Sequence, residues 1–290
     1  MPSEQPLPTQ YLAQSLGGNN RACPGQSLVA FLFAHQDDEV AVFSCIERAA
    51  RGGRRVVCLY LTDGGHGGQR TDRRCAESLS VLQSLGVDAA DIHFIGVREG
   101  FRDGELHTRL EAALAAVEAV LTPADAVHAL YMHAWEGGHQ DHDAVHLIGA
   151  AYAAKAGLLD ISRQFTLYRA ASNLLGVKLF APLAENGPVA EESIPRTARL
   201  RYLGLALTYT SQWKTFAVLF PMLVHAYCTQ GVEATQGVSL ARLNARPHDG
   251  PLLYERRGHA RYEEFRAAGD AFLRAQLRSE DFENANSLRR

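Results

Sequence analysis

Residues 28–39 read LVAFLFAHQDDE, a continuous apolar run that ends in one imidazole and three carboxylates. An apolar run of this length is typical of a strand that is buried on both faces. The polar group that follows, residues 35–39, is too highly charged to lie at the end of a core strand unless a positive charge compensates it. A divalent cation would supply that charge. The alternative is a solvated turn whose aspartates cap the next helix.

Further apolar runs of strand length alternate with helical patterns along the chain. We predict strands at 28–33, 55–61, 92–95, 127–132 and 164–169, with helices at 39–51, 71–85, 106–121 and 143–156 between them. Strands that alternate with helices in this way predict right-handed βαβ units. The expected fold class is therefore α/β, with a Rossmann-like parallel sheet of about five strands flanked by helices.

The same pattern divides the chain into three regions. Residues 1–27 are rich in proline and glycine and predict an irregular N-terminal arm. Residues 28–172 carry the α/β core, which we expect to be catalytic. Residues 173–290 predict a C-terminal, mostly helical elaboration that closes over the active site, with one or two helices at 207–227, a short strand at 252–256 and a helix at 262–279.

The composition argues against several classes of protein. Of the 290 residues 47% are hydrophobic, and the net charge of -3 with intermixed signs argues against a nucleic-acid surface. The five cysteines are scattered and lack a C-x-x-C pair, as in a reduced, cytoplasmic protein. We expect no signal peptide and no transmembrane segment, because the longest apolar stretch, residues 216–228, is too short to span a bilayer. That stretch is compatible with a contact to a membrane interface or to a hydrophobic ligand. The sequence is also compatible with a homo-oligomer.

Polar side chains follow three of the predicted strands. His35 follows the first, a glycine-rich loop with His66 follows the second, and the sequence GGHQDH at 137–142 follows the fourth. Ligands of open parallel sheets bind outside the carboxyl ends of the strands, so we expect these side chains to share one site. The first strand is not followed by G-x-G-x-x-G, so the dinucleotide-binding fingerprint is absent. The second cluster favours a bound cation over a solvated turn.

The two clusters together contain a ligand set for a catalytic metal. A catalytic zinc typically keeps three protein ligands and one open position. His35 and Asp38 lie three residues apart at the end of the first strand, and His142 comes from the second cluster. We predict that these three residues bind Zn²⁺, although the set also suits Fe²⁺ or another divalent metal.

Asp37 and His139 then remain for catalysis. Asp37 is placed to take a proton from the attacking water, and His139 is placed to donate a hydrogen bond or a proton on the opposite side of the reacting centre. This division of roles suits the metal-assisted hydrolysis of an unactivated bond such as an amide.

The other polar residues near the clusters have lesser roles. Asp141 either orients His139 or caps the following helix. His146 shares a helix face with His142, and we favour a structural role for it. Glu39 matches the dipole of the first helix. His66, Arg74 and Glu77 could reach the pocket, whereas we expect ordinary histidines at His93, His107, His128, His225, His248 and His259.

The two motifs also resemble those of a known family. AHQDDE at 34–39 and HQDH at 139–142 are similar to the A-H-P-D-D-E and H-P-D-H motifs of the LmbE-like, or PIG-L, family of zinc-dependent N-deacetylases. The resemblance extends over residues 28–172. It implies the roles that the spacing also suggests, with metal ligands at His35, Asp38 and His142, a general base at Asp37 and a transition-state histidine at His139.

Three residues depart from the family pattern. Gln36 and Gln140 replace the two motif prolines, which frees the backbone and adds an amide at each position. Neither is a ligand, so we expect metal binding to survive, and the Gln36 amide is expected to face the bound ligand. His66 stands where many relatives have a glutamate, which alters the expected substrate contacts.

The resemblance implies a metal-dependent hydrolase that removes an N-acetyl group from an acetamido sugar or sugar conjugate of the N-acetylglucosamine type, releasing acetate and a free amine. One alternative is an amidase that acts on a non-sugar acylated small molecule. Another is a non-catalytic metal-binding or sugar-binding protein, which Asp37 and His139 disfavour because a pure binder would not need them.

Overall fold

The computed structural model describes residues 27–65, 71–121, 126–171 and 176–277. The arm predicted for residues 1–27, apart from its last residue, lies outside these ranges, and so does His66. None of the helices in these ranges is long and apolar enough to cross a membrane.

Most of the described strands form one mixed sheet. The strands are β1 (Leu28–Phe33), β2 (Arg55–Tyr60), β3 (Ile92–Phe94), β4 (Val127–His133), β5 (Ser162–Phe165), β6 (Tyr168–Ala170), β7 (Val177–Leu179), β8 (Val189–Ser193) and β9 (Val232–Gly237). A seven-stranded sheet has the order β3-β2-β1-β4-β5-β9-β8, in which β1 to β5 run parallel and β9 and β8 pair antiparallel. Strands β6 and β7 form a separate antiparallel pair. The predicted α/β fold with a parallel core is confirmed.

Helices cover the sheet and connect its parallel strands. They are α1 (Phe43–Arg51), α2 (Thr71–Ser84), α3 (Ile95–Glu99), α4 (Leu110–Val120), α5 (Gln140–Lys155), α6 (Arg196–Ala206), α7 (Trp213–Val224), α8 (Leu253–Arg256) and α9 (Tyr262–Gln276). The single helix predicted at 39–51 is divided, because Asp38–Ala41 forms a 3₁₀ turn and Val42 leaves the helical conformation before α1 begins.

The side chains of β1 alternate between two hydrophobic cores. Ala30 and Leu32 face the core that contains α5 and α9, and Phe31 and Phe33 face the core that contains α1 and α6. All of β1 is buried, which explains why its apolar run is continuous. Helix α5 is buried over residues 140–153, so the polar side chains of its first turn lie in the protein interior.

The C-terminal elaboration contains more strand than we predicted. Strands β8 and β9 extend the sheet, and every residue of β8 is exposed, so no apolar run marks it in the sequence. The strand predicted at 252–256 was wrong, because Leu253–Arg256 is helix α8. The Glu255 carboxylate accepts a hydrogen bond from the Leu252 backbone N–H at 3.2 Å, which favours a helical turn there.

A distant glutamate caps helix α1. Val42 precedes the helix and has no side chain that can accept a hydrogen bond, whereas Glu233 on β9 accepts hydrogen bonds from the backbone N–H groups of Ser44 (2.6 Å) and Cys45 (2.8 Å). Burial raises the pKa of Glu233 to about 7. The cap therefore joins the antiparallel extension to the parallel core.

We expect Glu233→Ala to lower the free energy of unfolding by about 1–3 kcal/mol, because two backbone donors would stay buried without an acceptor. Urea denaturation would measure the loss. Glu233→Gln is the control, since its amide keeps one acceptor oxygen and should lose less. Equal losses in the two variants would show that a single acceptor oxygen does not maintain the cap, because glutamine also keeps the packing of the side chain.

Candidate active site

Three of the predicted ligands converge at the carboxyl ends of β1 and β4. Asp38 lies at the centre: its Oδ1 is 3.3 Å from His142 Nε2, and its Oδ2 is 3.6 Å from His35 Nδ1. The His35 backbone N–H also donates to Asp38 Oδ2 at 2.7 Å, which holds the carboxylate in place. Helix α5 supplies His142 from its first turn, since it begins at Gln140, three residues earlier than predicted.

His133, the last residue of β4, belongs to the same cluster and was missed in the sequence. Its Nε2 lies 2.9 Å from Asp38 Oδ2, and its ring stacks on that of His142 with centroids 4.0 Å apart. His133 also lies at the carboxyl end of a parallel strand, but the strand predicted from the sequence stopped at residue 132. Among the described residues, three groups of side chains each bring one ligating atom per residue within 4.8 Å of one another: Asp38, His133 and His142; His35, His139 and His142; and His35, Asp103, His139 and Asp141.

The chemistry of these residues fits a divalent cation. His142 is completely buried, and neither of its ring nitrogens has a hydrogen-bond partner among the described residues. An unpaired buried polar atom is costly, and a cation would satisfy it. Burial and the neighbouring His133 lower the pKa of His142 to about 4, so its ring is neutral and has a lone pair to offer. Burial opposes ionisation of Asp38, but His142 and His133 outweigh it and hold the pKa of Asp38 well below its usual value.

Asp37 adopts a backbone conformation that is unusual for a residue other than glycine. Its φ is 116°, in the left-handed half of the map, which costs free energy and occurs often at functional sites. Glu39 supports the turn: one carboxylate oxygen accepts from the Asp37 N–H at 3.0 Å, and the other accepts from the Tyr209 hydroxyl at 2.8 Å. Glu39 therefore acts through specific hydrogen bonds and not only through the dipole of the following helix.

Arg74 holds Asp37 from the opposite side. Its Nη2 lies 3.4 Å from Asp37 Oδ2, and the guanidinium also donates to the backbone oxygens of Gln36 and Gly64, each at 2.7 Å. Burial raises the pKa of Asp37 to about 8, against the opposing charge of Arg74. Asp37 and Arg74 both line the cavity. Glu77, also on α2, is not part of the lining and accepts hydrogen bonds from Arg73 and from Ser211.

His139 is the N-cap of α5, and its Nδ1 accepts a hydrogen bond from the Asp141 backbone N–H at 3.2 Å. Its ring meets that of His35 edge to face at 4.7 Å. Burial and the neighbouring His35 lower the pKa of His139 to about 3. A neutral ring that accepts at Nδ1 carries its proton on Nε2.

The structure changes the role of Asp141. Its carboxylate lies 3.2 Å from His35 Nε2 and accepts from the backbone N–H groups of Gly104 (2.5 Å) and Leu106 (3.1 Å). Its nearest approach to His139 is 3.8 Å, which is too long for a hydrogen bond, and the cap of α5 is His139. The Asp141 carboxylate thus contacts His35 and the loop after α3, and it neither contacts His139 nor caps the helix.

Asp103 lies on that loop and is the second residue that the sequence did not reveal. It is 3.3 Å from His35 Nε2 and 3.8 Å from Arg74 Nη1. Burial opposes protonation of His35, but Asp103, Asp141 and Asp38 outweigh it and raise the pKa of His35 well above its usual value. The sequence predicts only a loop at 96–104, and nothing in the local sequence distinguishes Asp103.

Two of the lesser predicted residues face away from the site. The Gln36 amide donates to the Thr62 carbonyl oxygen at 3.4 Å and points to Cys75 Sγ at 3.5 Å, so it is turned into the protein and does not face a ligand as we predicted. His146 Nδ1 is 2.8 Å from the His133 carbonyl oxygen, as expected for a structural histidine.

A cavity of about 410 Å³ opens directly above these residues. His35, Asp37, Asp38, Arg74, Asp103 and His139 form its polar floor. Most of its wall residues lie between 167 and 259 in the sequence. They include His259, which we predicted to be an ordinary histidine; the centroid of its ring lies 6.3 Å from that of His139. The arrangement brings a candidate cation site, a carboxylate and a neutral imidazole to the bottom of one pocket.

Comparison with known proteins agrees with this geometry. Residues 30–153 match the family model described as PIG-L, GlcNAc-PI de-N-acetylase. A comparison with curated proteins finds no match. Among solved structures, a deacetylase in the biosynthesis pathway of teicoplanin has a TM-score of 0.54 at 16% identity, covering 73% of this chain and 97% of that one.

Two further solved structures have the same fold. The A40926 pseudoaglycone deacetylase Dbv21 has a TM-score of 0.51 at 19% identity, covering 77% of this chain and 98% of that one. A zinc-inhibited form of teicoplanin deacetylase Orf2 has a TM-score of 0.54 at 15% identity, covering 73% and 97% respectively. Residues 30–153 of this chain therefore form a domain of the PIG-L, or LmbE-like, family.

Proposed function

We propose that the chain is a metal-dependent hydrolase that removes an N-acetyl group from an acetamido sugar or sugar conjugate of the N-acetylglucosamine type. The observation that carries the proposal is the convergence of His35 and His142 on Asp38, which lies with Asp37 and His139 at the floor of one cavity. The match of residues 30–153 to a GlcNAc-PI de-N-acetylase family model supports an acetamido sugar as substrate.

His35, Asp38 and His142 would hold the cation, with Zn²⁺ as the first choice and Fe²⁺ as the second. A cation bound there polarises the amide carbonyl and lowers the pKa of water. His133 and Asp141 would orient the ligands. His133 lies within hydrogen-bonding distance of Asp38, and Asp141 lies within hydrogen-bonding distance of His35.

The remaining residues would move the protons. The charge of a bound cation would lower the pKa of Asp37 from about 8 and leave it as a carboxylate, which takes a proton from the attacking water while Arg74, 3.4 Å away, keeps it oriented. His139 carries its proton on Nε2 and donates a hydrogen bond to the amide oxygen as negative charge develops there, while the proton that Asp37 took from the water passes to the departing nitrogen. The C–N bond breaks, the hydroxyl of water joins the acyl carbon, and the products are acetate and a free amine.

The test is to measure acetate release from a panel of N-acetylated sugars and sugar conjugates. The chelated protein should be inactive, and one equivalent of Zn²⁺ or, without oxygen, of Fe²⁺ should restore turnover. Because one protein of this fold is described in a zinc-inhibited form, excess zinc should be titrated separately. A fully metallated protein that releases no acetate from any member would overturn the proposal.

The apolar walls of the cavity favour a second candidate, an amidase that cleaves a non-sugar acylated small molecule. Mass spectrometry of the products distinguishes the two, because only the first leaves an amino sugar. A protein that binds metal or sugar without turnover is the third candidate, and saturable binding with the acyl group intact would support it.

The free cysteines support a reducing compartment, and we propose the cytoplasm. Within the part of the chain that the structure describes, Cys45, Cys58 and Cys75 are buried without disulfide partners, and Cys228 is exposed without one.

A further inference from the structure

Two tyrosines from the C-terminal part of the chain hold the turn that carries Asp37. The Tyr209 hydroxyl donates to Glu39 Oε1 at 2.8 Å, and the Tyr227 hydroxyl donates to the carbonyl oxygen of Val40. Both tyrosines are buried. The turn at the floor of the cavity is therefore bonded to a part of the chain that lies more than 160 residues away in sequence.

Tyr209 reaches Asp37 through the Glu39 carboxylate. One oxygen of that carboxylate accepts from the Tyr209 hydroxyl, and the other accepts from the Asp37 backbone N–H at 3.0 Å. Tyr60 and Ser78 also face Glu39, but among the described residues their hydroxyls have no hydrogen-bond partner. A site is held in its productive geometry only when the groups that support it are themselves fixed by hydrogen bonds and packing. The Tyr209 hydroxyl is thus the donor that fixes the direction of Glu39.

The backbone of Asp37 needs this support. Its φ of 116° is costly for a residue other than glycine, and such a conformation persists only where the surrounding structure over-determines it. Arg74 holds the side chain, 3.4 Å from Asp37 Oδ2, whereas Glu39 holds the backbone N–H. The backbone contact therefore sets the direction in which the Asp37 carboxylate enters the cavity.

Tyr209 is itself placed with little freedom. Its ring stacks on that of Phe216, with centroids 5.2 Å apart, and Phe216 lines the cavity. Two residues after it, the Ser211 backbone N–H donates to Glu77 Oε1 of α2 at 3.0 Å, and the Ser211 hydroxyl donates to Oε2 at 2.5 Å. Burial and the charge of Glu39 raise the pKa of Tyr209 well above its usual value, so the hydroxyl keeps the proton that it donates.

We propose that Tyr209 is a positioning residue for the catalytic base: its hydroxyl fixes Glu39, and Glu39 in turn holds the backbone of Asp37. This inference rests on the proposed hydrolysis, in which Asp37 takes a proton from the attacking water. Tyr209 lies outside residues 30–153, so the match to the family model does not include it. The C-terminal elaboration therefore supplies part of the catalytic geometry and not only the walls of the cavity.

Tyr209→Phe removes the hydroxyl and keeps the ring. We expect kcat to fall about 10- to 10²-fold, because a small displacement of a catalytic group costs that much, while KM and metal content stay at their wild-type values. Tyr202→Phe is the matched control. The Tyr202 hydroxyl also donates to a buried carboxylate, that of Glu47 at 2.6 Å, and neither residue lines the cavity. This variant should lose a comparable hydrogen bond and keep the wild-type kcat.

A double variant separates positioning from a general loss of stability. Once asparagine has replaced Asp37, no base is left to position, so adding Tyr209→Phe to Asp37→Asn should cause no further fall in kcat. A fall by the same factor in both backgrounds would show that Tyr209 acts independently of Asp37 and would overturn the inference. Equal effects of Tyr209→Phe and Tyr202→Phe on kcat would overturn it as well.

Hydrogen exchange separates this inference from the proposed function, because it needs no turnover. The Asp37 amide, followed by NMR, should exchange about tenfold faster in Tyr209→Phe than in the wild type and at the wild-type rate in Tyr202→Phe. Faster exchange together with no acetate release by the wild type would reject the deacetylase and retain the contact that holds Asp37. Acetate release by the wild type, with kcat and exchange both unchanged in Tyr209→Phe, would retain the deacetylase and overturn the inference.

Discussion

Asp37→Asn is expected to lower kcat by about 10²- to 10⁴-fold while the metal content stays at the wild-type level. Asp37 lines the cavity next to the candidate ligand Asp38. It belongs to none of the groups of described side chains whose ligating atoms lie within 4.8 Å of one another. Asparagine has nearly the same shape and tolerates the left-handed backbone that Asp37 adopts, so the turn should survive. The loss would then reflect the missing base.

The experiment combines steady-state kinetics with metal analysis of the same preparation. Asp72→Asn is the control, because Asp72 is an exposed carboxylate in the first turn of α2, outside the cavity lining. Its kcat should equal that of the wild type. If Asp37→Asn loses its metal together with its activity, Asp37 is a ligand and the roles of Asp37 and Asp38 need to be exchanged.

His142→Ala is expected to abolish both metal binding and turnover. His142 belongs to two of the three groups of described side chains whose ligating atoms lie within 4.8 Å of one another, and both of its ring nitrogens lack a hydrogen-bond partner among the described residues. His133→Ala should have a smaller effect, a loss of about 10- to 100-fold in metal affinity, if His133 only orients Asp38. The difference between the two variants tests which imidazole meets the cation.

Competition of each variant against a chelator of known affinity would measure the loss. Circular dichroism would check that both variants remain folded, since both histidines are fully buried. If His133→Ala loses metal as completely as His142→Ala, the ligand set is Asp38, His133 and His142. If His139→Ala also loses metal, His139 is a ligand and not a hydrogen-bond donor to the substrate.

Local sequence patterns sufficed to predict the parallel core. The run from Leu28 to Phe33 is apolar at every position because both faces of β1 are covered, and that information lies within six residues. The motif residues His35, Asp38 and His142 were predicted to meet because carboxyl ends of parallel strands share one edge of the sheet. Strand periodicity and sheet topology together are enough to predict that such residues lie close together.

The sequence alone did not reveal features whose partners are distant in the chain. Glu233 caps a helix that begins at residue 43, and Asp141 pairs with His35 instead of its neighbour His139. No local pattern marks these contacts, because each depends on which backbone donors and imidazoles the folded chain leaves within reach.

The sequence by itself therefore determined the α/β class, the edge of the sheet that carries the site, and the two polar motifs. The tertiary structure alone decided that His133 and Asp103 join that site, that β8 and β9 complete the sheet, and that the cavity has an apolar wall. The physical reason is that strand and helix periods are local properties of the chain. Burial, hydrogen-bond partners and cavity walls arise only when segments distant in sequence come together.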